Sequence, residues 1–394
     1  MDGADVQLHQ RARAVAVAAS VLGAAAALVP FGLVLRTTRI DRGVSVSLAS
    51  ALGVWGAALV ACWLAVAAMA LSRMPLRTRG VAASLIAGAA PVLALWRAGA
   101  FAEAYAKQAG ELSRVSLGPG FWLTAAAAYV AVFAATAWLE AGPLRATVSY
   151  APFAGIAAVL ASGAVSGIGI AREYANNADA FVRQLAVHLG YVGASVAVGL
   201  VFGIALGLTA ARRPSAEPLV FGVLNVLQVV PTLAFIGLLY PVLTGLSRSV
   251  ELFAALGVRG VGWAPVVVVL SAYAVYPIAR NTHAALASID PATVDAATGI
   301  GMGALRRFAM VEAPLATPVV LAGLRVALVQ STAGAIIAGL VGGGGLGTFV
   351  FLGASETASD LMLLGVVPIV GLALLFDRGL SAIEGALSPW KEPA

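Results

Sequence analysis

SIDPATVDAATGIGMGALRRFAMVEAPLATPVVLAGLR occupies residues 288–325, between two apolar runs, and is too polar to lie in lipid. Asp290 followed by Pro291 predicts a helix start. The aspartate caps the first turn, and proline fits the first helical position because its missing N–H has no partner there anyway. Pro291 to Thr298 can make about two turns. Gly299, Gly301 and Gly303 then interrupt, since glycine weakens a helix and permits the positive φ of a tight turn. Ala304 to Glu312 can form a second short helix, which Pro314 is expected to limit because it disfavours the α region for the residue before it. The pattern predicts a helix–glycine turn–helix lying on a membrane surface, in a loop spanning residues 287–315.

Composition sets the wider context. The 394 residues are 61% hydrophobic and 11% charged, with mean hydropathy +0.95. A soluble domain carries about 25% charged residues, so the expectation is an all-α polytopic membrane protein. The net charge of +6 fits loop arginines beside anionic lipid. No basic run is present to suggest nucleic acid. The single cysteine, Cys62, excludes an intrachain disulfide and reads as a packing residue. The two lysines, Lys107 and Lys391, stand in no G-x-x-x-x-G-K-[ST] context, so the chain has no nucleotide P-loop. His9, His188 and His283 are dispersed, and neither metal-ligand spacing nor a nucleophile–base pair appears. No catalytic residue and no resident cofactor are expected.

A membrane span needs about 20 apolar residues. Ten candidates are visible: Ala14–Leu35, Val46–Leu71, Val81–Trp96, Phe121–Leu139, Val148–Ile170, Leu185–Ala210, Leu219–Leu239, Ala264–Leu286, Val319–Val341 and Leu361–Leu380. The first is longer than a signal-peptide core and is expected to be retained. Gly99–Gly120 reads as a polar connection. Loop arginines favour, by a small margin, the side holding Arg73, Arg212, Arg306 and both termini as cytoplasmic. Polar Arg172–Arg183 divides the chain into residues 1–172, with about five extra spans and no recognisable chemical motif, and residues 173–385. Residues 386–394 read as a short tail.

The second half carries the polar positions of interest. Gly199, Gly203 and Gly207 share one helix face and suit close helix packing. Asn225, Gln228 and Thr232 are spaced to share a face, with Pro231 expected to kink their helix. Tyr273, Tyr276 and Arg280 form another face, and Gln330, Ser331 and Thr332 lie within a third span. Polar groups in hydrocarbon are costly, so these should face a watery path or a partner helix. Arg280 is expected to snorkel. The glycines of Val341–Gly347 match a dinucleotide fingerprint only formally, because a membrane helix precedes them instead of a strand; a flexible turn is the expectation.

The loop resembles the coupling loop of ABC-importer permeases, whose signature is Glu-Ala-Ala, three residues, Gly, nine residues, Ile, one residue, Leu-Pro. It stands here as Asp295-Ala296-Ala297, then Gly301, Val311 and Ala313-Pro314, every spacing kept. The segments around Pro231, Tyr273 and Gln330 look like permeases of osmoprotectant importers, over roughly residues 184–378. This resemblance implies a type I ABC-importer core and import of a quaternary-ammonium solute such as glycine betaine or choline. It also implies a second permease copy or a related one, a separate ATPase dimer that binds ATP, and an extracytoplasmic solute-binding protein, all at the cell (inner) membrane. Asp295, Ala296, Ala297, Gly299, Gly301, Val311 and Pro314 would meet the ATPase. Asn225, Gln228, Pro231, Thr232, Tyr273, Tyr276, Gln330 and Thr332 would line the path. A methionine or other amino-acid permease shares this architecture. An ion-coupled secondary transporter is disfavoured, because Glu140, Asp290, Asp295, Glu312, Asp360 and Asp377 fall in loops or near span ends.

Overall fold

The computed structural model describes residues 3–39, 41–110, 112–140 and 142–387. The tail expected beyond Leu387 lies outside them. Among the described residues, nine helices are long and apolar enough to cross a membrane, or ten if one sharply bent pair counts as a single span. Backbone contacts divide the chain into two compact units. One runs to Asn176 and includes Glu356–Asp360; the other holds Asn177–Ser355 and the chain from Leu361.

The first unit contains α1 (Gly3–Leu28), α2 (Leu48–Ala51), α3 (Val54–Leu71), α4 (Leu76–Ala109), α5 (Pro119–Thr136) and α6 (Pro143–Ala161). Its core is rich in alanine: Ala16, Ala27, Ala87, Ala90, Ala94, Ala127 and Ala131 are fully buried around Trp63. Small side chains let membrane helices approach closely where lipid offers no hydrophobic drive. Two expectations are corrected here. The first two spans do not extend over Leu33–Leu35 or Val46. Those residues form strands β1 (Leu33–Arg36) and β2 (Val44–Val46), which join β3 (Arg114–Leu117) in an antiparallel sheet ordered β2-β1-β3. The connection Gly99–Gly120, which its sequence allows to be partly helical, is helical to Ala109, and what the sequence does not foretell is that it then enters β3.

Beside the sheet, Glu173 is buried and accepts hydrogen bonds from Arg114 at 2.7 Å and Arg39 at 3.0 Å. Arg39 also pairs with Glu356 at 3.1 Å, and buried Asp360 accepts from Ser116 at 2.6 Å. A buried carboxylate persists only with such partners.

The second unit begins within α7 (Gly169–Arg212), whose one non-helical residue is Asn177. It continues through α8 (Glu217–Val229), α9 (Thr232–Ser249), α10 (Glu251–Ala255), α11 (Trp263–Ala287), α12 (Pro291–Gly299), α13 (Ala304–Arg307), α14 (Ala313–Gly334), α15 (Gly347–Ser355) and α16 (Ser359–Ala386). The expected seventh span is not one kinked helix: α8 and α9 meet at 104° across Val230 and Pro231. Thr232 opens α9 and cannot share a helix face with Asn225 and Gln228. Nor does Pro314 end the helix before it. A π turn over Phe308–Glu312 joins α13 to α14, with the Ala313 N–H donating to the Phe308 carbonyl. The widened turn brings the proline in at the start of α14, where its missing N–H is tolerated.

Candidate functional site

The surface loop is built from standard end chemistry. The Asp290 carboxylate accepts from the Ala292 N–H at 2.9 Å, capping α12. At the other end the Gly301 N–H donates to the Thr298 carbonyl at 3.0 Å and the Met302 N–H to the Ala297 carbonyl at 3.2 Å. These two bonds define a Schellman motif, which needs a left-handed residue at its turn. Gly301 supplies it with φ +83°. A side chain at Gly301 would meet no atom of this chain within 4 Å. Its requirement for glycine is therefore conformational within the isolated subunit.

The loop presents a mixed face. Asp295, Ala296, Gly299 and Pro314 are exposed, Val311 is half-buried, and Ala297 is buried beneath them. Ile300, Leu305 and Met310 stand out at 75%, 82% and 56% exposure. Three large apolar side chains thus stand exposed on an otherwise polar loop.

Beneath that face lies a network that spacing alone does not reveal. Glu312, 9% exposed, accepts from Arg307 at 3.0 Å through Oε1 and from Arg212 at 3.2 Å through Oε2. Arg307 donates in turn to the Thr298 hydroxyl at 3.0 Å. The Arg212 guanidinium also stands 5.2 Å from the Phe308 ring centroid. One carboxylate thus joins α12, α13 and the end of α7. Arg212 and Glu312 are 100 residues apart, and only charge type hinted at their pairing.

The α8–α9 break is held from α11. Pro277 has no N–H to give the Tyr273 carbonyl four residues earlier. The Gln228 amide donates to that carbonyl at 2.8 Å, and the Tyr273 hydroxyl donates to the Val230 carbonyl at 2.5 Å. Tyr276 packs against the buried cluster that includes Phe221, Leu224 and Ala279, and the Arg280 guanidinium lies 5.0 Å from the Phe221 ring centroid. Asn225, Pro231 and Gln330 are exposed on the chain. Thr332 is fully buried, its hydroxyl bonded to the Leu328 carbonyl of its own helix. It faces the interior of the unit and no open path within this chain.

On α7, Gly199, Gly203 and Gly207 lie against α11. A Cβ on them would come within 2.7 Å of Ala274 Cβ, 2.8 Å of Ile278 Cβ and 2.5 Å of the Ala279 carbonyl oxygen. The middle of α7 holds the glycine turn. Gln184 accepts from the Gly345 N–H at 2.6 Å, the Tyr191 hydroxyl donates to the Gly343 carbonyl, and His188 Nε2 lies 3.1 Å from the Thr332 carbonyl. Those contacts replace the expected flexible turn with a pinned one.

Comparison with known proteins agrees with this architecture. The family described as "Binding-protein-dependent transport system inner membrane component" matches residues 199–388. That described as "ABC transporter permease YehY, N-terminal domain" matches residues 10–171, the half without a recognisable motif. The choline transport system permease protein OpuBB of Bacillus subtilis is 31% identical over 195 residues, covering 50% of this chain and 82% of that protein. The osmoprotectant import permease protein OsmW of Salmonella typhimurium is 33% identical over 202 residues, covering 51% and 89%. Among solved structures, the MetNI methionine ABC transporter in inward facing conformations matches at TM-score 0.45 and 23% identity, over 52% of this chain and 95% of that one. With a relative above 30% identity covered over most of its length, the chain belongs to the binding-protein-dependent transport family and is an ABC-transporter permease subunit.

Proposed function

We propose that this chain is the translocation subunit of an ATP-driven importer for a quaternary-ammonium osmoprotectant such as glycine betaine or choline. The observation that carries this reading is the loop at residues 287–315. It is a Schellman-closed helix pair with exposed Ile300, Leu305 and Met310, tied through Glu312 to α7. That is the form needed by a surface that receives force from another protein. The choline, carnitine and glycine betaine permeases among the relatives support the solute class.

In this reading the loop seats on a separate ATPase, which binds and hydrolyses ATP. Two ATPases act on two permeases, either two copies of this chain or this chain and a related one. An extracytoplasmic binding protein delivers the solute. The chain lies in the cell (inner) membrane with both termini cytoplasmic. Asp295, Ala296, Ala297, Gly299, Gly301, Val311 and Pro314 shape the seat. Asn225, Gln228, Tyr276 and Gln330 offer polar and aromatic groups to the path, where aromatic faces suit a cation that cannot donate a hydrogen bond from nitrogen. A conformational change driven from the loop requires contacts that differ in free energy between the two states.

The test is uptake of labelled glycine betaine and choline by vesicles holding this chain, its ATPase and its binding protein, with ATP inside. Uptake that needs both ATP and the binding protein is the expected result. ATP-independent uptake by this chain alone would replace the reading with a secondary transporter.

A further inference from the structure

The long helix α7 holds the α14 segment at two places, from its middle and from its C-terminal end. Toward its middle, Gln184 and Tyr191 grip the backbone of Gly345 and Gly343, in the glycine turn that follows α14, and His188 reaches the Thr332 carbonyl within α14. At its finish, Arg212 bonds Glu312 at the entry to α14. Between these points the glycine face of α7 lies directly on α11. The first set of ties is made to main chain. The second is a single side-chain ion pair, with the Arg212 side chain 44% and the Glu312 side chain 12% exposed, beside an open cleft of 360 Å³ lined by Arg212, Leu286, Ile289, Val294, Arg307 and Glu312.

We infer that Glu312 is the positioning residue of coupling. It converts α7 and α14 into a closed frame, so that a displacement of the loop moves α7, and α11 with it, without α14 sliding past its neighbour. The inference rests on the importer reading above. Its logic is geometric. Without the Arg212–Glu312 pair, α14 keeps its packing on α11 and its ties to the middle of α7, but its loop end has no direct bond to α7, and force on the loop is spent in swinging that end. Arg307 keeps Glu312 bound to the loop side of the joint, so loop and α7 meet on one carboxylate whose two oxygens are divided between them. Placement in a π turn suits this task, since such turns recur at functional sites and aim a side chain that a regular helix would point elsewhere. The exposed face at Ile300, Leu305 and Met310 is separate from this joint, so its removal leaves the docking surface in place.

The experiment uses the whole transporter in vesicles, with labelled glycine betaine as probe, and measures uptake and ATP hydrolysis in the same preparation. A wild-type sample without ATP-dependent uptake would count against the importer reading and not against the joint. With wild-type uptake established, Glu312→Gln and Arg212→Gln should each lower solute moved per ATP hydrolysed by about tenfold, within the usual span of a coupling free energy. Binding-protein-stimulated hydrolysis should persist. The double variant should be no worse than either single one, because both remove the same link. Arg212→Lys, which keeps the charge, should restore most of the ratio. An unchanged ratio in Glu312→Gln, or equal falls of uptake and hydrolysis in both Gln variants, would overturn the inference.

Discussion

Gln228 and Tyr273 satisfy each other's neighbourhoods across the α8–α9 break: the amide of one donates to the carbonyl of the other at 2.8 Å, and the phenol returns a bond to Val230 at 2.5 Å. Both acceptors are carbonyls at sites where the helical ladder is interrupted, one by Pro277 and one by the 104° bend. Tyr273→Phe should cost about 1–3 kcal/mol by stranding the Val230 carbonyl. Gln228→Ala should cost a similar amount, and the double variant less than the sum. Thermal unfolding of the purified protein in detergent measures all three; strict additivity would separate the two bonds.

Gly301 tests the surface loop. Its positive φ should make Gly301→Ala cost about 1 kcal/mol in the isolated chain. Gly301→Asp should leave the protein inserted and folded yet abolish uptake, because the space open above Gly301 is then needed by a partner. Normal uptake by the Asp variant would remove this loop from the coupling site.

Along α7 two glycines with the same backbone should behave oppositely. Gly203→Ala places a Cβ 2.8 Å from Ile278 Cβ and should destabilise by about 1–3 kcal/mol. Gly193→Ala meets nothing within 4 Å and should be neutral or stabilising by up to about 1 kcal/mol. Paired melting curves in one detergent decide this, and equal shifts would contradict the packing.

Glu173→Gln removes the charge that Arg39 and Arg114 share in the first unit. Arg39 keeps Glu356 at 3.1 Å, so the loss falls on the more buried Arg114 and should cost about 3 kcal/mol. The exposed control Glu103→Gln should lie within about 0.5 kcal/mol of the parent. The readout is the melting temperature of each variant; a control that falls as far as Glu173→Gln would refute the assignment.

Gln330→Leu replaces an exposed polar side chain near the middle of the ninth expected span. Uptake should slow while co-purification of the ATPase stays unchanged. Unaltered uptake kinetics would take Gln330 off the path.

Sequence and structure meet most closely where information is local. The cap at Asp290 and the glycine turn at Gly301 are legible because their causes lie within five residues of each other. The glycine face of α7 is legible because a four-residue spacing specifies one side of a helix. The Arg212–Glu312 pair is not, since neither residue carries a mark of its distant partner. The small sheet is hidden for another reason. Leu33–Arg36 and Val44–Val46 are short apolar runs beside long apolar helices, and hydrophobicity cannot distinguish them. Pro231 signals an interruption but not its size; the bend reaches 104° because Tyr273 and Gln228 stand ready to take the freed backbone groups.

The π turn that carries the chain past Pro314 has a mechanical consequence. From Ala304 to Gly339 the backbone runs as one helical element of 36 residues. At 1.5 Å per residue that is about 54 Å, against a hydrocarbon layer of about 30 Å. The second half of the loop and the membrane segment are therefore one lever arm. A sideways push of about 3 Å at its loop end becomes a tilt of about 3° along the full thickness of the bilayer.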